Sequence, residues 1–92
     1  QKKESSLYDN LLSSMGRHAF CKAEQKKYDE GLALTDKGYA LQPDSKNGIL
    51  QDSRYENAMW AGHQAMADAK YEDAKGYYTI VLNIINANEN LK

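Results

Sequence analysis

The chain has 92 residues, 41% of them hydrophobic, and a formal net charge of −1 from 12 Lys and Arg against 13 Asp and Glu. This length predicts one domain with a modest core. The balanced charge excludes a strongly basic surface for nucleic acid or an anionic membrane. The single cysteine, Cys21, excludes an internal disulfide, so the fold must depend on packing.

The first half of the chain is predicted to form two helices. Ser6 is a suitable N-cap for the first helix, which should end near residues 25–27. A four-residue spacing places its apolar stripe at Leu7, Leu11, Met15 and Ala19. The second helix is expected from Tyr28 to Leu41, because Pro43 cannot continue a helical hydrogen-bond ladder.

The second half predicts two further helices. Ser53 and Glu56 form a capping-box pattern, which favours a start of the third helix at Ser53. The stripe of this helix is Ala58, Ala61, Gly62, Ala65 and Ala69. The fourth helix is predicted to begin at Tyr71, with an inner stripe of Ala74, Tyr78, Val81 and Ile85. Four helices joined by short turns predict an all-α fold.

An internal repeat connects these helices. Lys-Tyr-Asp-Glu-Gly at residues 27–31 is matched by Lys-Tyr-Glu-Asp-Ala at residues 70–74, a spacing of 43 residues between Tyr28 and Tyr71. Repeats of this length are typical of stacked helical hairpins. Small residues twelve apart, at Gly62 and Ala74 and again at Ala19 and Gly31, would allow the two helices of each hairpin to approach closely.

These residues resemble the tetratricopeptide repeat family, although its usual period is about 34 residues. The resemblance implies two stacked antiparallel helical hairpins, four helices in all, forming a right-handed superhelix within a single domain over residues 1–92. The repeats would cover about residues 12–45 and 55–88. Residues 46–54 would be a linker or an N-terminal extension of the third helix anchored by Ile49 and Leu50, and the capping box at Ser53 favours the linker.

The resemblance implies a non-enzymatic protein–protein interaction module. In this family the first helices of the hairpins form a concave groove, here suited to an apolar peptide or an amphipathic helix. The implied groove residues are Arg17, Phe20, Met59, Trp60, His63 and Met66. Trp60 is the expected anchor, and the alternative is that Trp60 and Met59 only fill the core between the hairpins. The family's carboxylate clamp is absent, because Gly16 and Phe20 occupy positions of its Lys and Asn.

The fourth helix carries more apolar residues than one neighbour can cover. The residues expected to contact a following repeat or a second copy are Tyr77, Ile80, Leu82, Ile84 and Ile85. This pattern supports two alternatives, a self-association domain that forms a homodimer and a helical accessory part of a larger complex. The start at Gln1 favours a piece of a longer protein. The polar tail at residues 88–90, followed by Leu91, offers little apolar cover.

The sequence predicts no catalytic residue, no cofactor and no metal site. His18 and Cys21 are three residues apart and could present two zinc ligands, but no further ligand lies nearby in the sequence, and His63 belongs to the second repeat. For His18 and Cys21 we favour simple packing or exposure over a zinc site. Cys21 has no activating neighbour, so it is expected to be a small buried apolar group, and a single unpaired thiol favours the cytoplasm.

Overall fold

The computed structural model describes residues 2–88, with side chains from residue 5 onward. The elements in chain order are four helices, α1 (Lys2–Glu24), α2 (Tyr28–Leu41), α3 (Gly48–Ala67) and α4 (Tyr71–Ala87). Within residues 2–88 no strand occurs. The prediction of an all-α fold of stacked helical hairpins is therefore confirmed, and the bounds of α2 agree with those expected from the sequence.

Helix α3 is the centre of the stack. Its backbone approaches α1, α2 and α4, whereas within the described residues the backbone of α4 approaches only α3. Helices α2 and α3 run antiparallel: Arg54 Nη1 donates a 2.7 Å hydrogen bond to Thr35 Oγ1, while Asn57, further along α3, lies against Gly31, earlier on α2. The contact of α3 with α1, as well as with α2 and α4, is expected for two hairpins packed side by side and not for four helices stacked in chain order.

The two hairpins have turns with the same backbone conformation. Lys26 and Ala69 adopt positive φ angles of 62° and 59°. The amide of Lys27 bonds to Lys22 O at 2.9 Å, and the amide of Lys70 bonds to Ala65 O at 2.8 Å. Both helix ends are thus Schellman motifs built without glycine. A left-handed conformation costs a side-chain-bearing residue about 1–2 kcal/mol, which the rest of the fold must offset at each turn.

The third helix begins earlier than the expected start at Ser53. Its N-cap is Asn47, whose side chain accepts a hydrogen bond from the amide of Leu50 at 2.9 Å. Ser53 instead lies inside α3, buried, with its hydroxyl donating to Leu50 O. Residues 48–54 are therefore helical and not a linker, because burial of Leu50 (0% exposed) outweighs the capping box at Ser53.

The apolar stripe expected on α1 is wrong in two of its four positions. Leu7 and Leu11 are exposed, and the first-helix residues in the core are Leu12 and Ala19, with Gly16 buried between them. A strict four-residue repeat advances by about 40° per step around a helix of 3.6 residues per turn. Over three steps the expected stripe therefore turns away from the core. Helix α1 also begins four residues before Ser6.

The four small residues proposed as hairpin contacts are all buried, but polar or aromatic side chains complete the contacts of the glycines. A Cβ atom on Gly31 would overlap the side-chain amide of Asn57, and one on Gly62 would lie 2.6 Å from the ring of Tyr78. Asn57 is fully buried and donates to Ala19 O and Ser53 O at 3.0 and 2.9 Å. Its Oδ1 accepts no hydrogen bond from the part of the chain that the structure describes. Through its bond to Ala19 on α1 and its contact with Gly31 on α2, Asn57 on α3 joins three helices.

Candidate protein-binding face

Helices α1 and α3 lie side by side and form the face that carries the predicted groove residues. Three contacts advance in the same direction along both helices, from Ser13 with Asn47, through Gly16 with Ile49, to the Ala19 carbonyl with Asn57. The helices are therefore parallel. A Cβ on Gly16 would lie only 2.8 Å from the Ile49 backbone, so this glycine permits the close approach.

Trp60 is the most prominent aromatic side chain on this face. It is 45% exposed, although its ring is held on two sides. The indole Nε1 donates a 3.1 Å hydrogen bond to Glu56 Oε1, one helical turn earlier. The ring also makes an edge-to-face contact with His63, with centroids 5.4 Å apart. Trp60 therefore does not merely fill the core, because nearly half of a fixed ring remains in solvent.

The aromatic contact continues onto the fourth helix. His63 Nδ1 and the hydroxyl of Tyr78 are 2.7 Å apart, and the two ring centroids are 5.6 Å apart. Tyr78 is half-buried and packs where Gly62 has no side chain. We refer to Trp60, His63 and Tyr78 as the aromatic row. Tyr78 on α4 thus holds His63, and His63 in turn contacts the ring of Trp60.

The remaining predicted groove residues differ in accessibility. Arg17 is exposed, Phe20 is half-buried, and Met66 is 49% exposed. Met59 is half-buried and packs against the apolar cluster of Leu32, Ala58 and Val81. Met59 therefore contributes less free surface than Trp60 and Met66. Two open clefts of the chain, of about 390 and 370 Å³, include none of these six residues.

The apolar residues of α4 are divided between the core and the surface. Tyr77, Ile80 and Ile85 pack against the cluster of Leu32, Ala58 and Val81, and Ile84 is half-buried. Leu82 is 56% exposed and is the large aliphatic side chain of this helix that is most available to another molecule. The tail segment at residues 89–92, which includes Leu91, lies outside the described residues.

The larger cleft opens between the two hairpin turns and has charged residues of both signs in its lining. Across it the hydroxyl of Tyr77 on α4 donates a 2.6 Å hydrogen bond to Asp29 Oδ1 on α2. This bond, helped by partial burial, raises the pKa of Tyr77 to about 12. The bond links α2 directly to α4, in addition to the apolar cluster that contains Leu32 of α2 and Val81 of α4.

We expect Tyr77→Phe to remove a stabilising contribution that the native chain has at neutral pH and loses at alkaline pH. Because the folded-state pKa of Tyr77 lies above the ordinary tyrosine value, the contribution is complete below about pH 10 and is lost as the pH rises toward about 12. Urea unfolding at pH 8 and at pH 11.5 measures the difference between the native chain and the variant. Tyr71→Phe, at a largely exposed ring, is the control. A difference that stays constant over this range would contradict the Tyr77–Asp29 bond.

The expectation that Cys21 is buried is wrong, because its side chain is exposed, as is that of His18. A residue three positions from His18 shares its side of α1, and that side turns away from the buried positions Leu12, Gly16 and Ala19. The two side chains are therefore not held by packing.

The contacts of three residues that shape this face were not predicted from the sequence. The resemblance places Glu56 among the groove-facing residues, and its spacing of four from Trp60 on one helix is the signal that could have predicted their side-chain hydrogen bond. Asn57 interrupts the alanine stripe of α3, and a buried amide in such a stripe signals a specific polar contact. Tyr78 was assigned to the core and not to a bond with His63.

The arrangement is suited to contact with another molecule. It combines an exposed indole, a flexible thioether at Met66 and a carboxylate at Glu56 on one side of α3. Within the described residues no group of three or more His, Cys, Asp or Glu side chains could hold a metal ion. None of the helices described is long and apolar enough to cross a membrane. No family model, curated protein or solved structure matches the chain.

Proposed function

We propose that this chain is a protein–protein interaction module that binds an apolar peptide segment or an amphipathic helix along α1 and α3. The observation that carries the proposal is Trp60, whose ring is held by Glu56 and His63 and is still 45% exposed. A side chain that is already fixed loses little conformational entropy on binding. Large aromatic residues of this kind contribute a major share of interface energy.

We also propose that the two hairpins are divergent tetratricopeptide-like repeats. The support is the equal backbone conformation of the two turns, in which Lys26 and Ala69, with their positive φ angles, have the same spacing of 43 residues as the Lys-Tyr pairs. In this interpretation α1 and α3 are the first helices of their repeats, and their shared face is the peptide-binding side.

We expect Trp60→Ala to weaken peptide binding by about fivefold or more, which corresponds to more than about 1 kcal/mol. The test uses peptides selected on the native chain from a random display library, with affinities measured by calorimetry. Circular dichroism should show unchanged helicity, because the ring lies at the surface. The control is Leu7→Ala, which removes an exposed apolar side chain near the N-terminal end of α1, away from the predicted groove residues, and should leave the peptide affinity unchanged.

Two results would contradict this function. One is that no peptide is enriched over background, and the other is that the selected peptides bind Trp60→Ala and the native chain equally well. A collapse of affinity between low and moderate salt that is lost in Arg17→Gln and kept in Glu56→Gln would instead indicate an acidic ligand held by Arg17, because exposed charge pairs are screened by salt and apolar contacts are not.

Self-association is the second candidate function, and the exposure of Leu82 favours it. Exposed apolar residues also lie at the opposite end of the stack, at Leu7 and Leu11 on α1, which has no backbone contact with α4 in the described chain. Two different surfaces of this kind would give a head-to-tail contact between copies, and such contacts do not close into a dimer unless the rotation allows it.

We expect Leu82→Glu to reduce any concentration-dependent association measured by sedimentation velocity, with little loss of stability, because Leu82 is mostly in solvent. Ile80 is a poorer choice for this test, since it packs against the core cluster. A native chain that is monomeric at high concentration would contradict self-association.

A further inference from the structure

We propose that Glu56 and Trp60 together form a subsite for an arginine side chain of the bound peptide. This inference rests on the proposed peptide-binding function and specifies the chemistry of its partner. It follows from two properties of the same pair of residues, the exposure of the indole and the charge of the carboxylate hydrogen-bonded to its nitrogen.

The indole provides the surface on which a cation can lie. Trp60 has the strongest attraction for cations among the aromatic side chains, because its ring carries the largest negative potential on its face. Its hydrogen bond to Glu56 and its edge-to-face contact with His63 fix the ring plane. The part of the ring that remains in solvent, on a side chain that is 45% exposed, is therefore presented in one orientation.

The carboxylate makes a purely apolar partner unfavourable at this point. Glu56 Oε1 lies 3.1 Å from the indole nitrogen, so a segment that covers Trp60 must also cover part of Glu56. The ion pairs of the described chain join Lys22 to Glu30 and Arg54 to Asp36, which leaves Glu56 without a cation of its own. Burying an unpaired carboxylate costs free energy, and a cation brought by the partner offsets that cost.

Arginine meets both requirements better than lysine does. Its planar guanidinium stacks on an aromatic ring, while its N–H groups point outward in the guanidinium plane and can donate to a carboxylate beside the ring. The ammonium of lysine is a compact, strongly hydrated charge that cannot stack in this way. The expected ligand is therefore an apolar segment with one arginine positioned to contact Trp60.

The experiment compares peptides selected from a random display library on the native chain and on the Glu56→Gln variant. The glutamine keeps an oxygen that can accept the indole hydrogen bond and removes only the charge. We expect arginine to be enriched next to apolar residues more strongly on the native chain than on the variant, which keeps Trp60 but lacks the carboxylate. For a selected peptide, replacing arginine by citrulline should weaken binding to the native chain by about 3–10-fold. The replacement should weaken binding to Glu56→Gln by a smaller factor, because only the attraction of the indole for the cation remains there, and the fluorescence of Trp60, the single tryptophan, reports both affinities.

The controls separate this inference from the function on which it rests. Glu72→Gln removes the same charge from an exposed position on α4 and should keep the preference for arginine. Peptides that need Trp60 but show no preference for arginine, or prefer lysine equally, would overturn the subsite while the binding function stands. Peptides that are indifferent to Trp60, or no enrichment at all, would overturn both.

Discussion

We expect Leu50→Ala to lower the free energy of unfolding by about 2–5 kcal/mol. Leu50 is fully buried in the first turn of α3. Its methyl groups lie where a Cβ on Gly38 would be 2.9–3.0 Å away, and Leu12 meets the same point from α1. The alanine would therefore leave a cavity where three helices meet, and glycine at position 38 provides no side chain to fill it.

The measurement is urea unfolding followed by circular dichroism, with Leu7→Ala as the matched control. Leu7 is 68% exposed, so its truncation should change the free energy of unfolding by less than about 0.5 kcal/mol. Because about 1 kcal/mol shifts the melting temperature of a domain of this size by roughly 4–8 °C, the two variants should be clearly separated. Equal effects would mean that residues 48–52 do not pack as the start of α3.

We expect Gly31→Ala to destabilise the fold by about 1–3 kcal/mol, although alanine is the better helix former. The new methyl group would overlap the amide of Asn57, which is buried and bonded to two carbonyl groups. The amide cannot move without losing those hydrogen bonds. Gly76→Ala is the control, because nothing lies within 4 Å of its Cβ position, and it should stabilise the chain by about 0.5–1 kcal/mol.

A double-mutant cycle identifies the cause of the destabilisation. Asn57→Ala alone should destabilise the fold, because it removes two buried hydrogen bonds and leaves a cavity. In that background Gly31→Ala should cost little, since the new methyl group would occupy space that the amide has left. Additive effects of the two substitutions would contradict direct contact between residue 31 and Asn57.

The elements that local chemistry determines could be predicted from the sequence. The bounds of α2 follow from Pro43 and from the turn before Tyr28, and the start of α4 at Tyr71 follows from the matching turn. The start of α3 could not be predicted in this way, because Asn47 and Ser53 are both adequate caps. The choice between them depends on Leu12 and Gly38, which are distant in sequence from Leu50.

The candidate site, too, has features that could be predicted from local sequence and others that depend on contacts between helices. Trp60 and His63 were identified from their residue types and from the resemblance, but tryptophan at helical spacing fits a core position equally well. Contacts between helices, such as those of Gly16 with Ile49 and of the Ala19 carbonyl with Asn57, decide which side of α3 faces α1, and Trp60 is left exposed. The bond between His63 and Tyr78 joins two helices and leaves no signal in either helix alone.

The attachment of α4 through α3 has a consequence for the order in which parts of the molecule open. Amide hydrogens of α4 should exchange with solvent through a smaller, local opening, while those of α3 should require global unfolding. Such an opening would break the Tyr78–His63 bond but leave Trp60 and Glu56 on the packed unit of α1, α2 and α3. A ligand confined to Trp60 and Glu56 would therefore leave the exchange of α4 unchanged, and one that also reaches Tyr78 would slow it.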